Sequence, residues 1–273
     1  MASNSANYRV IPFPKIRRLM VDGGQLGRSK HLIHGLVEMD VTDARRLIQA
    51  HEANTGEKIS FTAFFMACLG QAVDMNKHMQ AYRTWGEKLV IFEDVDVNTM
   101  FEVEVDGQKV IRPHIIRAAN RRSLREIHAE IRSFQAEHEG GSEAKFINWF
   151  VLLPAFIRRF FLKILFKNPQ QLKEMNGTVS LTSVGMFGEG GGWGIPVSNH
   201  TLQITLGGVA LKPMLNDGQL ENRAHLCVTV SFDHDIVDGA PAARFIQRLK
   251  GLVESSYGLS ELAEKYQGAA HGS

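Results

Sequence analysis

The stretch "VTVSFDHDIVDGAPAARFIQRLKGLV", residues 228–253, decides how the chain is read. Val228, Val230 and Phe232 alternate with polar residues, the period of a half-buried strand. Ala242, Phe245, Ile246, Leu249, Leu252 and Val253 then recur at three- and four-residue spacing, the period of an amphipathic helix. Between them lies His234-Asp235-Ile236-Val237-Asp238-Gly239, a polar turn holding a titratable ring that a fold does not need there. A histidine at a strand end is ordinarily structural, and Asp238 alone reads as a helix cap. The flanking pattern has to decide between those readings and a chemical one.

Working outward, the same switch from strand to helix recurs. "HLIHGLVEMDVTDARRLIQAHEANTG" predicts a strand near Leu32 to Met39, a helix that Asp40 or Thr42 can cap, and a stop at Gly56. "ISFTAFFMACLGQAVDM" is apolar almost all round and predicts a buried helix with Ser60 or Thr62 near its start. Asp106-Gly107 between two apolar alternating runs predicts a hairpin. Ser123 and Glu126 form a capping box for a surface helix. The last third predicts strands over Thr178–Val184 and Leu202–Val209, a turn at Asn216-Asp217-Gly218, and a strand ending at His234. Helices interleaved with long strands indicate a mixed α/β sandwich.

Composition excludes several classes. The 273 residues carry a net charge of +2 with scattered Lys and Arg, so nucleic acid is not an expected partner. Cys68 and Cys227 lie in apolar stretches and read as buried thiols in a reducing, cytoplasmic compartment. No metal-ligand spacing occurs among the 11 histidines, so no bound metal is expected. Residues 146–166, "FINWFVLLPAFIRRFFLKILF", contain an uncharged run of 12 residues, Phe146–Ile157, against about 20 for a membrane span. An amphipathic helix packed on the domain or on a neighbouring subunit fits them better than one on a membrane surface. "GMFGEGGGWGIP" is glycine-rich but lacks the GKS/T ending of a phosphate loop.

His-x-x-x-Asp-Gly, preceded by Ser231-Phe232-Asp233 and followed by Ala240-Pro241-Ala242-Ala243-Arg244-Phe245, resembles the signature of the dihydrolipoamide acyltransferase cores of 2-oxo acid dehydrogenase complexes. Chloramphenicol acetyltransferase carries a similar turn. "LVEMDVTDARRL", "VIRPHIIRAANRRSLREIHAEI" and "GTVSLTSVGMFGEGGGWGIPVSNHTLQITLGGVALKP" resemble the same cores in the same order. The resemblance implies a chloramphenicol acetyltransferase-like mixed-sheet sandwich with flanking helices.

It also implies a CoA-dependent acyl transfer. His234 is then the general base that takes the acceptor's proton, and Thr182 holds the position of the family's oxyanion-stabilising serine, with Ser183 the alternative one residue on. Asp238 braces the turn. Ser183 and Gly239 are expected to line the CoA site, Gly239 by permitting a backbone shape that a side chain would block. Asp235 departs from the arginine usual in the family. Asn199 is expected to be structural, and the glycine-rich stretch to line the substrate channel.

The expected organisation is an N-terminal arm over 1–29, a catalytic domain over 30–258 with an atypical amphipathic insertion over 146–175, and a tail over 259–273. The resemblance begins near residue 30, which leaves no lipoyl or subunit-binding domain. A lipoyl domain is then served in trans, or CoA thioesters are used with a small acceptor. Because the family's site lies between subunits, a homotrimer is expected, with His234 and Thr182 meeting across its interface. A non-catalytic trimeric scaffold keeping the same fold is the alternative.

Overall fold

The computed structural model describes residues 8–14, 17–84, 86–105, 108–136, 150–165, 167–184, 190–216 and 218–259. Strands β1 (Leu32–Asp40), β4 (Val97–Val105), β5 (Gln108–Ile116), β6 (Val179–Ser183), β7 (Leu202–Asn216) and β8 (Gln219–Asp233) form one mixed sheet in the order β1-β8-β7-β6-β4-β5. β6 runs parallel to both β4 and β7, and the other neighbours are antiparallel. A short hairpin of β2 (Tyr82–Arg83) and β3 (Leu89–Val90) stands apart. The Asp106-Gly107 and Asp217 turn positions lie outside the described residues, but the strands they join pair as the hairpin reading requires.

β8 sits between β1 and β7, and every residue from Ala224 to Asp233 is buried. Helices α2 (Thr42–Thr55), α3 (Phe61–Asp74), α4 (Leu124–Ala136) and α7 (Gly239–Glu254) complete the core. The apolar stripe of α7 meets the sheet through Phe245, whose ring stands edge-on to Phe232 at 5.9 Å and 89°. Gly35 of β1 lets α7 approach, because a Cβ there would lie 2.5 Å from the Ile246 Cδ1 atom. The α3 helix is buried on nearly all sides, and its cap Ser60 accepts from the Ala63 N–H at 3.4 Å. Asp40 Oδ1 accepts from the Thr42 N–H at 2.9 Å, and Gly56 takes the left-handed conformation at φ 74° where α2 stops. The Ser123–Glu126 capping box forms in both directions, at 2.8 and 3.3 Å.

Two features differ from the sequence reading. β7 does not stop at Val209 but continues to Asn216 through a bulge between Leu206 and Val209. One extra residue on β7 changes which side chains face the core: Leu202, Ile204 and Leu206 before it, Val209 after it. The N-terminal arm also contains a helix, α1 (Arg17–Gly27), which packs against α5 (Ala155–Leu165). Helix α6 (Pro169–Asn176) follows, capped by Asn168.

The α1–α5 contact is held by charge. Asp22, 1% exposed, accepts from Arg158 Nε at 2.8 Å and from Arg159 Nε at 2.9 Å. Arg158 is itself 4% exposed. Its guanidinium also donates to the carbonyl of Leu153 at 2.5 Å. The arginines that interrupt the apolar run at 146–166 therefore point inward to a carboxylate, while Phe156, Phe160 and Ile164 are exposed. No helix among the described residues is long and apolar enough to cross a membrane.

Candidate active site

The buried strand β8 delivers His234 to the surface. Its ring is exposed, and its backbone N–H donates to the carbonyl of His31 at 2.8 Å, which ties the turn to the start of β1. Asp233 is 3% exposed and pairs with Lys30. Its backbone carbonyl accepts from both Ile236 and Val237 at 3.0 Å and closes the turn. Asp235 bonds His31 Nδ1 at 2.8 Å, and this hydrogen bond holds its carboxyl below the usual carboxylate range. The carboxylates flanking His234 are thus engaged with Lys30 and His31, residues that no sequence motif marks.

Asp238 and Gly239 behave differently from expectation. Asp238 occupies the cap position of α7 at φ −77° and ψ 163°, but its side chain makes no cap bond. Among the described residues it makes no side-chain hydrogen bond or ion pair; only its carbonyl contributes, accepting from Ala242 N–H at 3.1 Å. Of the ion pair or backbone bonds expected to brace the turn, the described residues of one chain hold the backbone bond and no ion pair. Gly239 is not among the glycines with positive φ, and a Cβ there meets nothing within 4 Å. No backbone requirement forces a glycine at that position.

Thr182 lies in β6, half-buried, its Oγ1 3.3 Å from Thr205 Oγ1. The pairing Thr182↔Thr205↔Thr229 places it in one row with residues of β7 and β8. Ser183 is one position on, beside Leu206, and faces the opposite side of the sheet. Two strand spacings across and five residues along β8 separate Thr182 from His234, roughly 20 Å. A single chain does not bring them together.

The glycine-rich stretch serves close backbone contact where it is described. The Gly208 N–H donates to the Gly192 carbonyl at 2.9 Å. A Cβ at Gly207 would fall 2.0 Å from that same carbonyl, and one at Gly208 would fall 2.0 Å from the carbonyl of Gly190. Loop and bulge fit because both are glycine. Trp193 then reaches across to donate to the Val37 carbonyl at 3.4 Å. Residues 185–189 lie outside the described residues. Asn199 is half-buried, and its Oδ1 has no hydrogen-bond partner among the described residues.

The family model described as "2-oxoacid dehydrogenases acyltransferase (catalytic domain)" matches residues 5–144 and 167–260. The chain belongs to this family. It is 40% identical over 91 residues to the lipoamide acyltransferase component of the branched-chain alpha-keto acid dehydrogenase complex of Pseudomonas putida, covering 32% of this chain and 21% of that protein. The fold is that of a "probable dihydrolipoamide acetyltransferase" from Listeria monocytogenes, with a TM-score of 0.68, 21% identity, and 92% and 97% of the two chains covered. It is also similar to a chloramphenicol acetyltransferase, at a TM-score of 0.51, 12% identity, and 85% and 94% coverage. The architecture is therefore the mixed-sheet sandwich expected from the sequence. The chain spans less than half the length of the curated relatives it matches.

Proposed function

We propose that this chain transfers an acyl group between CoA and a thiol or other small acceptor. The observation that carries the reading is the exposed His234 ring, held on a pinned turn at the end of the buried strand β8. The turn lies inside a segment matched to an acyltransferase catalytic domain. The imidazole accepts the acceptor's S–H proton as a general base. The thiolate adds to the thioester carbonyl, and the tetrahedral oxyanion accepts a hydrogen bond from Thr182, which donates its hydroxyl proton. Collapse breaks the carbon–sulfur bond, and the departing CoA thiolate takes back the proton from the imidazolium. Ser183, on the other face of β6, is the weaker choice of donor, and Gly239 serves as space beside the CoA.

The separation of His234 and Thr182 within one chain supports a site shared between subunits, and with it a homotrimer of equivalent sites. CoA is a co-substrate, and a lipoyl group, where it is the acceptor, is presented in trans. Buried free thiols at Cys68 and Cys227 accord with a cytoplasmic setting. The test is acyl exchange between acetyl-CoA and dihydrolipoamide, with sedimentation of the same samples. A trimer whose rate falls about a thousandfold in His234→Ala fits a lost general base. A trimer with no turnover and no CoA binding is the scaffold instead.

A further inference from the structure

Residues 145–166 fall outside the family match, and two of them, Arg159 and Lys163, help wall a cavity beside the His234 turn. The cavity, about 590 Å³, is of a size that holds small molecules. Asp233 and Asp235 of the turn line it, with Arg83 of the β2–β3 hairpin and Arg159 and Lys163 of α5. Its charges are not balanced among themselves. Asp22 is shared by Arg158 and Arg159, Asp233 is paired with Lys30, and Asp235 is hydrogen-bonded to His31 and feels the charge of Arg83. Arg83 and Lys163 have no ion-pair partner among the described residues, against Glu87 as an unpaired carboxylate of the lining. Arg159 engages Asp22 through Nε, which fixes the direction of its guanidinium.

We propose that this cavity binds the anionic part of the substrate, a phosphate or a carboxylate, through Arg83, Arg159 and Lys163, so that the segment outside the family match sets substrate choice. The inference rests on the acyl-transfer reading for which reaction the bound molecule enters. A guanidinium offers paired donors to a planar or tetrahedral oxyanion, and an ammonium adds a point charge. Two sources share this chemistry: the phosphates of CoA, and a carboxylate on the acyl chain or acceptor.

Calorimetric titration of the whole protein with CoA, uncharged pantetheine, inorganic pyrophosphate and succinate tests it, in wild type, Arg83→Gln and Lys163→Gln. Both side chains are exposed, so the variants should fold, and circular dichroism checks that they do. CoA and pyrophosphate weakened about tenfold in each variant, with pantetheine unchanged, identifies phosphate as the occupant. Succinate weakened and CoA unchanged identifies a carboxylate. Affinities unchanged in both variants, or no anion bound by wild type, overturn the proposal. Acyl exchange run in parallel separates the failures. Turnover that depends on His234 with unaltered anion affinity removes this site alone. Anion binding that depends on Arg83 and Lys163, without turnover of any thioester, removes the acyl-transfer reading alone.

Discussion

The backbone N–H of His234 donates to the carbonyl of His31 at 2.8 Å, so the residue that leaves β8 is fastened to the residue that enters β1. A second pair of the same neighbours, Asp235 and His31, closes at the side-chain level at 2.8 Å. The turn closes on its own Asp233 carbonyl and is anchored by Lys30 and His31, just ahead of β1.

Lys30 should matter for stability although it touches none of the reacting atoms in the proposed chemistry. Its replacement by Met leaves Asp233 buried and unpaired, which costs about 3 kcal/mol. Urea denaturation should show that loss, and Lys30→Arg should restore most of it. A loss no larger than that of an exposed ion pair would refute the assignment.

Asp22→Asn should release α1 from α5. The buried Arg158 then lacks its counter-charge, at a cost of about 3–5 kcal/mol. The change should appear as faster amide exchange over residues 17–27. A double variant, Asp22→Leu with Arg158→Met, should recover much of the protection, because apolar pairs of similar volume replace buried ion pairs at little cost.

Acid should destabilise the fold through His200. Burial pushes this ring down to about 4, and its Nε2–H donates to the Asn176 carbonyl at 2.7 Å. The folded chain keeps it neutral while the unfolded chain protonates near pH 6.5. Its contribution is therefore full above about pH 6.5, falls as the pH drops toward 4, and is lost below, on the order of 3 kcal/mol in all. His128 is lowered by burial in the same direction, its Nδ1 accepting from Ser60 N–H at 3.1 Å. Denaturation at a series of pH values should show a shallower acid limb in His200→Gln.

Two glycine-to-alanine changes should part company. In Gly208→Ala the new Cβ meets the Gly190 carbonyl at 2.0 Å, so loop or strand has to shift, a cost of about 1–3 kcal/mol. Trp193 fluorescence reports the displacement. Gly239→Ala meets nothing within 4 Å and should be neutral or stabilising by up to about 1 kcal/mol. Equal effects would contradict the contact geometry.

Much of this fold is legible in local chemistry. The strand-to-helix switch at Asp40, the stop at Gly56 and the Ser123–Glu126 box each depend on residues within a few positions of one another. The extent of β7 is not legible, because Pro213 argues against a strand beyond Val209, while pairing with β8 carries the strand through it. His234 stands out in the sequence by its spacing to Asp238 and Gly239, yet the groups that hold it, Lys30 and His31, lie about 200 positions away. Arg158 and Arg159 look like interruptions of an apolar run until Asp22 is found opposite them, 136 and 137 positions earlier.

The bulge at Gly207-Gly208 sets the phase of everything beyond it. β7 is read in one alternation before those glycines and in the other after them, against a β8 whose alternation does not change. Removing either glycine would take out the extra residue and let β7 pair with β8 without a bulge, Val209 still opposite Leu226. Each residue from Val209 to Asn216 would keep its face, whereas pairing both glycines without a bulge would exchange inside for outside along that half. Substitutions in the two halves of β7 are therefore tolerated by opposite rules, and a relative that lacks one of the glycines would stay in step with β8 by losing the bulge.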